Sequence, residues 1–447
     1  MNTLLTIFKI PELTQKIGIT LLFLAVYRIG YHIPLPIINQ AKIQSLQGEG
    51  GFGQLLGMAA TFSGSQLGQL TIFGLGIMPY ISASILFQLL ANFYPPLEKL
   101  QKEGESGRKK INEYTRYATI PICLLQSWMY LNGMASGGDQ LLNNSFFFIL
   151  TAVITMTAGA MFLMWIGEQI DEYGIGNGIS LIIMAGIVAR LPEAFKRFFI
   201  DPATGHFRWS SIQLSGGDSS RPGLEIFAAL VVLFVVVVVF IIIFTKATRR
   251  IPTQSARHTR GRRVYGGTRQ YLPLKVNQSG VMPVIFASSI LMIPLIVFNW
   301  IANAFQTSWA AYMASEFMRQ SYIYNIFYIA LIFVFAYFWA AITFNPKEVS
   351  NNLRDYGSFI PGYRPGRRTA DYLKKVMQRL TFVGSAFLAM VAIFPSMIMV
   401  IMPGVDPLIA SFYGGTGLLI LISVALDLVQ KINSHLVMRN YPGLTDD

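Results

Sequence analysis

Two pairs of isoleucines are the residues of this sequence best suited to form a functional surface. Ile77 and Ile81, and Ile179 and Ile183, are each spaced i and i+4 within apolar runs, so the members of each pair lie on one helix face. Isoleucine supplies no acid, base or ligand atom. Around a pathway, such side chains close it by excluding water. The spacing alone also fits ordinary packed or lipid-facing helices.

Reactive side chains show no arrangement of the kind that enzymes use. No paired carboxylates or Ser/His sets occur in the apolar runs, and the four histidines are scattered: His32, His206, His258 and His435. Cys123 is the single cysteine, which excludes an internal disulfide and a multi-cysteine metal site. The phrases GLGIMP and GIGNG lack the Gly-Lys-Ser/Thr of a phosphate-binding loop. We therefore expect neither an enzyme nor a bound cofactor.

Membrane-spanning helices are the elements that must position these residues. Hydrophobic residues make up 53% of the chain and charged residues only 13%, against about 25% charged in soluble domains. Several apolar runs are long enough to cross a hydrocarbon core. Ten spans are predicted, near 17–35, 69–92, 117–136, 145–167, 178–199, 223–245, 279–299, 322–344, 380–402 and 414–432. The expected fold class is an all-α polytopic membrane protein.

The loops between the spans differ strongly in positive charge. Of the 35 lysines and arginines, 27 fall on the side that carries both termini and 7 on the other, while Arg28 lies within a span. The positive-inside rule therefore predicts that both termini are cytoplasmic. Two loops on that side, 246–277 and 345–379, carry nine and eight positive residues. They predict a docking surface for structured RNA or an acidic protein face, in addition to attraction to anionic lipid.

One phrase occurs twice in the chain. GIMPYISASI at 76–85 and GVMPVIFASS at 280–289 are identical at six of ten positions. The copies lie in the second and seventh predicted spans, which cross in opposite directions, as in inverted-topology repeats. We expect Pro79 and Pro283 to loosen two helices at the interface between the repeats, because proline removes a helical hydrogen bond.

The repeat and the loops predict how the chain is divided. We expect an N-terminal half, an external hinge loop and a C-terminal half at 1–199, 200–221 and 222–447. Within the first half, the external segment 47–69 contains a short apolar patch from Leu55 to Phe62, flanked by glycines. The patch is too short to cross the bilayer. We predict a re-entrant or plugging helix, because backbone at membrane depth is tolerated where protein surrounds it.

Seven further motifs complete the pattern: KEGESGRKKINEYTRY (102–117), FLMWIGEQIDEYGIGNGIS (162–180), GRRVYGG (261–267), LPLKVNQSGVMPVIFASS (272–289), FNPKEVSNNL (344–353), PGYRPG (361–366) and FYGGTGLLI (412–420). Together with GIMPYISASI, they resemble the SecY/Sec61 family of protein-conducting channel subunits, in its bacterial form. The resemblance covers nearly the whole chain. It implies ten helices in two pseudo-symmetric inverted halves around an hourglass pore.

The resemblance also implies roles for individual residues. A ring at the waist of the pore would consist of Ile77, Ile81, Ile179, Ile183, Ile285 and Ile420. A plug helix near 54–65 would contain Leu55, Leu56, Met58 and Phe62. A lateral gate between the second and seventh spans would include Pro79, Gln88, Asn277 and Pro283. Docking of the partner that drives transport would involve Arg257, Arg262, Arg263 and Arg364.

The implied function is protein translocation across the bacterial plasma membrane. Its implied partners are the SecA motor ATPase, the ribosome, the small membrane subunits SecE and SecG, signal peptides, translocating polypeptides and anionic lipids. Because the chain shows no nucleotide-binding motif, the motor or the ribosome would have to drive the polypeptide.

Two other functions stay open on the residues alone. A secondary transporter with inverted repeats needs ionisable groups near the midplane for its coupling ion. The predicted spans hold very few, chiefly Arg28 and Asp427, and uptake by a transporter would depend on them and on an ion gradient. A scaffold that conducts nothing would tolerate changes to the ring isoleucines but would lose function on neutralisation of 249–263.

Overall fold

The computed structural model describes most of the chain. The described residues are 10–35, 71–135, 146–189, 192, 224–255, 258–260, 263–265, 269–305, 307–317, 321–401 and 416–439. Several predicted features lie outside them, namely the hinge loop 200–221, the plug residues Leu55, Leu56, Met58 and Phe62, and the docking residues Arg257 and Arg262.

Thirteen helices lie within the described ranges. They are α1 (Pro11–Gly30), α2 (Met78–Phe93), α3 (Pro95–Lys102), α4 (Glu105–Ala135), α5 (Phe146–Tyr173), α6 (Gly178–Val188), α7 (Leu224–Lys246), α8 (Met282–Phe305), α9 (Ser308–Glu316), α10 (Tyr322–Thr343), α11 (Pro346–Asp355), α12 (Arg367–Ile401) and α13 (Thr416–Arg439). Each of the ten predicted spans overlaps one of α1, α2, α4, α5, α6, α7, α8, α10, α12 and α13.

Many of these helices have the length and composition of membrane spans. Among the described residues, α1, α5, α7, α10, α12 and α13 contain stretches long and apolar enough to cross a bilayer, and shorter apolar stretches lie in α2, α6 and α8. Helix α7 shows the expected surface, since Leu230 and Ile241 are fully buried whereas Val232 and Ile243 are each 64% exposed. Exposed aliphatic side chains on such a helix suit contact with lipid. The predicted all-α polytopic fold is confirmed.

The basic loop after α7 contains strands, which the sequence pattern did not predict. They are β1 (Thr248–Ser255), β2 (His258–Arg260), β3 (Arg263–Tyr265) and β4 (Arg269–Lys275), with β5 (Ser358–Phe359) in the second basic loop. β1 is the centre of an antiparallel sheet of order β4-β1-β5, and β2 pairs with β3. In the β1–β4 register, Ile251 lies opposite Leu272.

The two basic loops share one small hydrophobic core. Ile251 and Leu274 from the strands pack with Ile360, Leu373 and Met377 from the segment around α11 and the start of α12. The described residues of 248–275 and 344–380 therefore form one structural unit. Because it contains the predicted docking residue Arg364, we call it the docking subdomain. Two loops that are about 70 residues apart in sequence are thus joined by burial of apolar side chains.

The chain separates into two compact units. Unit 1 is Met1–Lys196 with Val424–Asp447, and unit 2 is Arg197–Ser423. In unit 1, α4 packs against α2 and α5, and α5 packs against α1 and α6; in unit 2, α10 packs against α8 and α12. This division rests on compactness rather than on the repeat, so the predicted halves 1–199 and 222–447 stay a prediction.

Candidate functional site

The two copies of the repeated phrase adopt the same backbone conformation. Gly76 and Gly280 have positive φ angles of 56° and 62°, in the left-handed region that favours glycine. In both copies a helix begins two residues later, α2 at Met78 and α8 at Met282. The repeat therefore has one local role in both units, which is to turn the chain into a predicted gate helix.

Pro79 and Pro283 do not loosen these two helices from within, contrary to the sequence-based prediction. Pro79 is the second residue of α2, and Pro283 is the second residue of α8. Backbone N–H groups in the first helical turn have no intrahelical acceptor, so proline removes no helical hydrogen bond there. The second predicted span started at residue 69. Because the apolar run continues from there into α2 without a break, the sequence did not show that the helix begins only at Met78.

Replacement of Gly280 tests the backbone requirement at the start of α8. Gly280→Ala should lower the free energy of unfolding by about 1 kcal/mol, because alanine is strained at positive φ. A Cβ there would meet no atom within 4 Å, so the loss would come from the backbone alone. Gly280→Asn should lose less, since asparagine tolerates this conformation better. Thermal unfolding in detergent measures both variants, and equal losses would contradict a backbone origin.

The predicted ring residues of unit 1 lie on two helices. Ile77 is the N-cap residue of α2, and its carbonyl oxygen accepts a hydrogen bond from the Ile81 N–H at 3.1 Å. These two side chains are 1% and 8% exposed. On α6, Ile183 is 5% exposed and Ile179 is half-buried. Three of these four isoleucine side chains are thus buried, and the fourth is half-buried.

The remaining predicted ring residues and two of the predicted gate residues lie in unit 2. Ile285 on α8 and Ile420 on α13 are 7% and 3% exposed. The predicted gate residue Asn277 is buried just before the repeated phrase, and its Oδ1 accepts a hydrogen bond from the Ser279 hydroxyl at 3.4 Å. The ring as a closed set across both units stays a prediction.

The predicted gate residue Gln88 is hydrogen-bonded to a residue of the repeated phrase. Its Nε2 donates a hydrogen bond to the Ser84 hydroxyl at 3.2 Å, one turn earlier on α2. In the second copy, the equivalent Ser288 donates its hydroxyl to the Ile285 carbonyl oxygen at 2.8 Å. Both serines therefore bond locally along their own helix, which conceals their polar groups within apolar surroundings.

A hydrogen-bonded turn between α5 and α6 positions the second isoleucine pair. Asp171, near the end of α5, accepts a hydrogen bond from the Gly178 N–H at 2.8 Å. Asn177 is the N-cap of α6, and its Oδ1 accepts from the Ser180 N–H at 3.0 Å. Side-chain oxygens thus satisfy two of the N–H groups that a helix start leaves without a partner. This turn is the phrase DEYGIGNGIS, whose role sequence reasoning had not identified.

Two further contacts hold that turn in place. The Thr20 hydroxyl of α1 accepts a hydrogen bond from the Ile175 N–H at 3.1 Å. Gly167 of α5 lies directly against the backbone of α6, since a Cβ added at Gly178 would overlap the Gly167 carbonyl oxygen. A Cβ added at Gly167 would in turn lie 3.3 Å from the side chain of Ile179. The position of Ile179 is therefore set by a glycine-to-glycine contact.

Comparison with known proteins decides the family. Residues 71–429 match the SecY family. A Streptomyces griseus protein named protein translocase subunit SecY is 42% identical over 98% of this chain and 98% of its own length. Its Pseudomonas aeruginosa counterpart is 40% identical over 97% of this chain and 93% of its own length. The chain belongs to the SecY family.

Solved structures agree with this family fold. One described as a protein conducting channel has a TM-score of 0.64 at 18% identity and covers 97% of this chain and 95% of its own. Sec61 in the canine ribosome-channel complex from the endoplasmic reticulum has a TM-score of 0.59 at 18% identity, with the same coverage. Both show the polytopic helical fold, as expected for a SecY-family protein spanning the membrane several times.

The docking subdomain of this SecY-family chain presents Arg364 on a braced loop. The Arg364 carbonyl oxygen accepts a hydrogen bond from the Thr369 hydroxyl at 2.9 Å, and the Gly366 carbonyl oxygen accepts one from the Ser350 hydroxyl at 2.8 Å. Thr369 and Ser350 are almost fully buried, whereas the Arg364 side chain is exposed. Buried hydroxyls therefore hold the backbone of the loop from which the exposed Arg364 side chain extends.

The docking subdomain and its flanks carry many positive side chains. The exposed lysines and arginines of the subdomain and its flanks are Lys246, Arg249, Arg250, Arg269, Lys275, Lys347, Arg354, Arg364, Arg367, Arg368, Lys374, Lys375 and Arg379. The predicted docking residue Arg263 is placed at the start of β3, opposite Arg260. Among the described residues of the subdomain, the one ion pair joins Arg354 to Asp355. The surface therefore keeps a strong positive potential for an acidic partner.

The ionisable residues that a transporter would need have local roles instead. The Arg28 guanidinium lies 5.0 Å from the centre of the Tyr31 ring, and Asp427 pairs with Lys431 one turn away at 3.7 Å. Asp427 and Lys431 are about half exposed. Within the described part of the chain, no group of three His, Cys, Asp or Glu residues is placed to hold a metal ion. Among the described residues, Arg28 and Asp427 therefore give no support to a coupling-ion site.

Proposed function

We propose that this protein is the channel-forming subunit through which unfolded secretory polypeptides cross the bacterial plasma membrane. Membrane segments would leave the same channel sideways into lipid. It acts as a conduit and not as an enzyme. The proposal is supported chiefly by the placement of the isoleucines. Ile77 and Ile285 are buried at the starts of two helices, and each helix follows a glycine turn of the same left-handed conformation. A compliant apolar seal can close around many side chains without binding any of them.

The finer architecture belongs to the same proposal. The six isoleucines form the pore ring, residues 54–65 supply the plug, and the gate opens between α2 and α8. Both termini face the cytoplasm, because the strongly basic loops carry the positive-inside signal. SecE and SecG would brace the channel, as the family resemblance implies.

The docking subdomain would engage the partner that drives the polypeptide. Exposed arginine and lysine side chains on one folded unit fit the phosphates of ribosomal RNA or an acidic face of the SecA motor ATPase. Two solved relatives of the same fold are described in complexes with ribosomes, the canine Sec61 channel and the yeast Ssh1 complex. Anionic lipid headgroups would contact the positive residues nearest the membrane.

A cross-link tests whether a polypeptide passes the isoleucine ring. In a Cys123→Ser background, Ile183→Cys provides a single thiol, and a secretory chain with one cysteine is stalled partway across the membrane. We expect a disulfide between the two, formed only when the stalled chain carries a functional signal sequence. Disulfide formation needs the two Cα atoms within about 7 Å, so a cross-link reports direct passage.

Ile182→Cys provides the matched control. Ile182 neighbours Ile183 on α6 and is 1% exposed, and consecutive side chains of a helix with 3.6 residues per turn point about 100° apart. It should therefore not react with the stalled chain. If Ile183→Cys, Ile81→Cys and Ile285→Cys all fail to link while secretion proceeds, the channel assignment is wrong. Equal linking at Ile182 would contradict the ring.

A further inference from the structure

The segment 71–77, which we call the approach segment, leads into α2 without being helical. It turns through hydrogen bonds from the Gly74 N–H to the Thr71 carbonyl oxygen at 2.9 Å and from the Gly76 N–H to the Phe73 carbonyl oxygen at 2.8 Å. It is nonetheless almost wholly buried, and it ends at Ile77, which is 1% exposed. Irregular backbone inside a membrane protein needs surrounding protein to satisfy and enclose it.

Helix α1 and the residues after it hold one side of the approach segment. The Ile72 N–H donates a hydrogen bond to the Ile33 carbonyl oxygen at 3.1 Å. The ring of Phe73 lies on Gly30, so closely that a Cβ at position 30 would overlap the ring. Phe73 also stacks against the ring of Tyr27, with centroids 6.4 Å apart. Because Gly30 has no side chain, the Phe73 ring can pack directly against the backbone of α1.

Helix α5 holds the other side. A Cβ at Gly159 would overlap the carbonyl oxygen of Ile72, so the backbone of the approach segment lies directly on α5. One turn earlier, the Met156 side chain reaches Gly74, where an added Cβ would lie 3.0 Å from its terminal carbon. Phe162 stacks on Phe73 with ring centroids 6.1 Å apart. Helices α1 and α5 therefore both contact the approach segment closely.

We propose that Gly30 and Gly159 are positioning residues for the pore seal and the gate. By admitting the approach segment to van der Waals contact, they set where Ile77 lies and where α2 begins. An added methyl group at Gly159 meets backbone rather than a flexible side chain, so the segment itself must move. The inference rests on the proposed function, because it assigns Ile77 to the seal and α2 to the gate.

Gly159→Ala tests the proposal, with Gly18→Ala as its matched control. Gly18 is also a helical glycine, but a Cβ there would meet no atom within 4 Å. The protein is purified with its membrane partners, placed in vesicles and tested for passive ion flux. We expect Gly159→Ala to raise the ion flux of the idle channel about tenfold. This increase corresponds to a tenfold fall in the ratio of closed to open channels. Gly18→Ala should match the wild type.

The rate of thiol labelling gives a second measurement, and a general loss of stability does not change this rate while the protein stays folded. Ile77→Cys in a Cys123→Ser background should react slowly with a water-soluble maleimide, because position 77 is 1% exposed. Adding Gly159→Ala should speed this labelling at a temperature well below unfolding. Unchanged flux and unchanged labelling in a folded Gly159→Ala protein would overturn the proposal.

Gly30→Ala keeps the test decisive if Gly159→Ala does not fold. The atoms that a methyl group at position 30 meets belong to the movable ring of Phe73. Gly30→Ala should raise the ion flux, and Gly30→Ala with Phe73→Leu should lower it again, because leucine vacates the overlapped space. A double variant as leaky as the single one would contradict the positioning role.

The cross-link and the ion flux together separate a wrong positioning role from a wrong channel assignment. If the ring cross-links to a stalled polypeptide but the glycine variants stay sealed, only the positioning role is wrong. If the ring never cross-links, the channel assignment is wrong, whatever the glycine variants do.

Discussion

Gly178→Ala is expected to cause a large loss of stability for the addition of a single methyl group. The added Cβ would overlap the Gly167 carbonyl oxygen and lie 2.7 Å from its carbonyl carbon and 2.9 Å from its Cα. All three are backbone atoms of α5, so no side-chain rotation relieves the overlap. Overpacking of this kind costs about 3 kcal/mol or more where the surroundings cannot yield. The variant should accumulate poorly in the membrane and unfold at a markedly lower temperature.

Gly178→Ala should change the function of each folded molecule as well as lower the amount of protein in the membrane. Separation of α5 and α6 strains the Asp171–Gly178 hydrogen bond of 2.8 Å and displaces Ile179 and Ile183. Protein that does fold should therefore show higher ion flux per molecule. Western blotting, thermal unfolding in detergent and vesicle flux measure these quantities, with Gly18→Ala as the control. A Gly178→Ala protein with wild-type unfolding temperature and flux would refute the contact.

Arg364→Glu is expected to produce the largest loss of partner binding. Arg364 is exposed on a loop that Thr369 and Ser350 hold by buried hydrogen bonds. Because the loop backbone is already held, only side-chain freedom of Arg364 is lost on binding, and arginine anchors of this kind commonly contribute about 2 kcal/mol or more. Reversal of its charge should weaken binding of the ribosome or the motor ATPase about 30-fold. Translocation should fall, while membrane insertion and thermal stability of the protein should stay unchanged.

Arg354→Glu is the matched control for that change. Arg354 belongs to the same subdomain, undergoes the same change of charge and already pairs with Asp355 at 3.4 Å. If the fixed loop decides docking, Arg354→Glu should weaken binding only a few-fold, as loss of an unspecific positive charge does. Equal weakening by both variants would mean that net charge, rather than the Arg364 loop, governs docking. Binding of each partner is measured with purified protein at fixed salt, because salt screens such contacts.

The membrane character and the approximate positions of the apolar helices were readable from sequence because they depend on local composition. An apolar run such as 223–245 must be a lipid-crossing helix wherever it lies, and α7 at Leu224–Lys246 matches it within one residue. The boundaries of helices with an irregular start were not readable. Residues 71–77 are as apolar as the helix that follows, and only the left-handed turn at Gly76 separates them.

The spans, the family motifs and the repeated phrase could all be predicted from the chain's residues, since each is a property of neighbours in sequence. What the repeated phrase does became clear only in the folded protein. Folding placed Pro79 in a first turn, brought two distant basic loops onto one core around Ile251, and laid Gly159 and Gly178 against backbone of other segments. A glycine in a sequence does not reveal which carbonyl it will meet. That contact exists only after helices have packed, and packing depends on the shapes of surfaces that are distant along the chain.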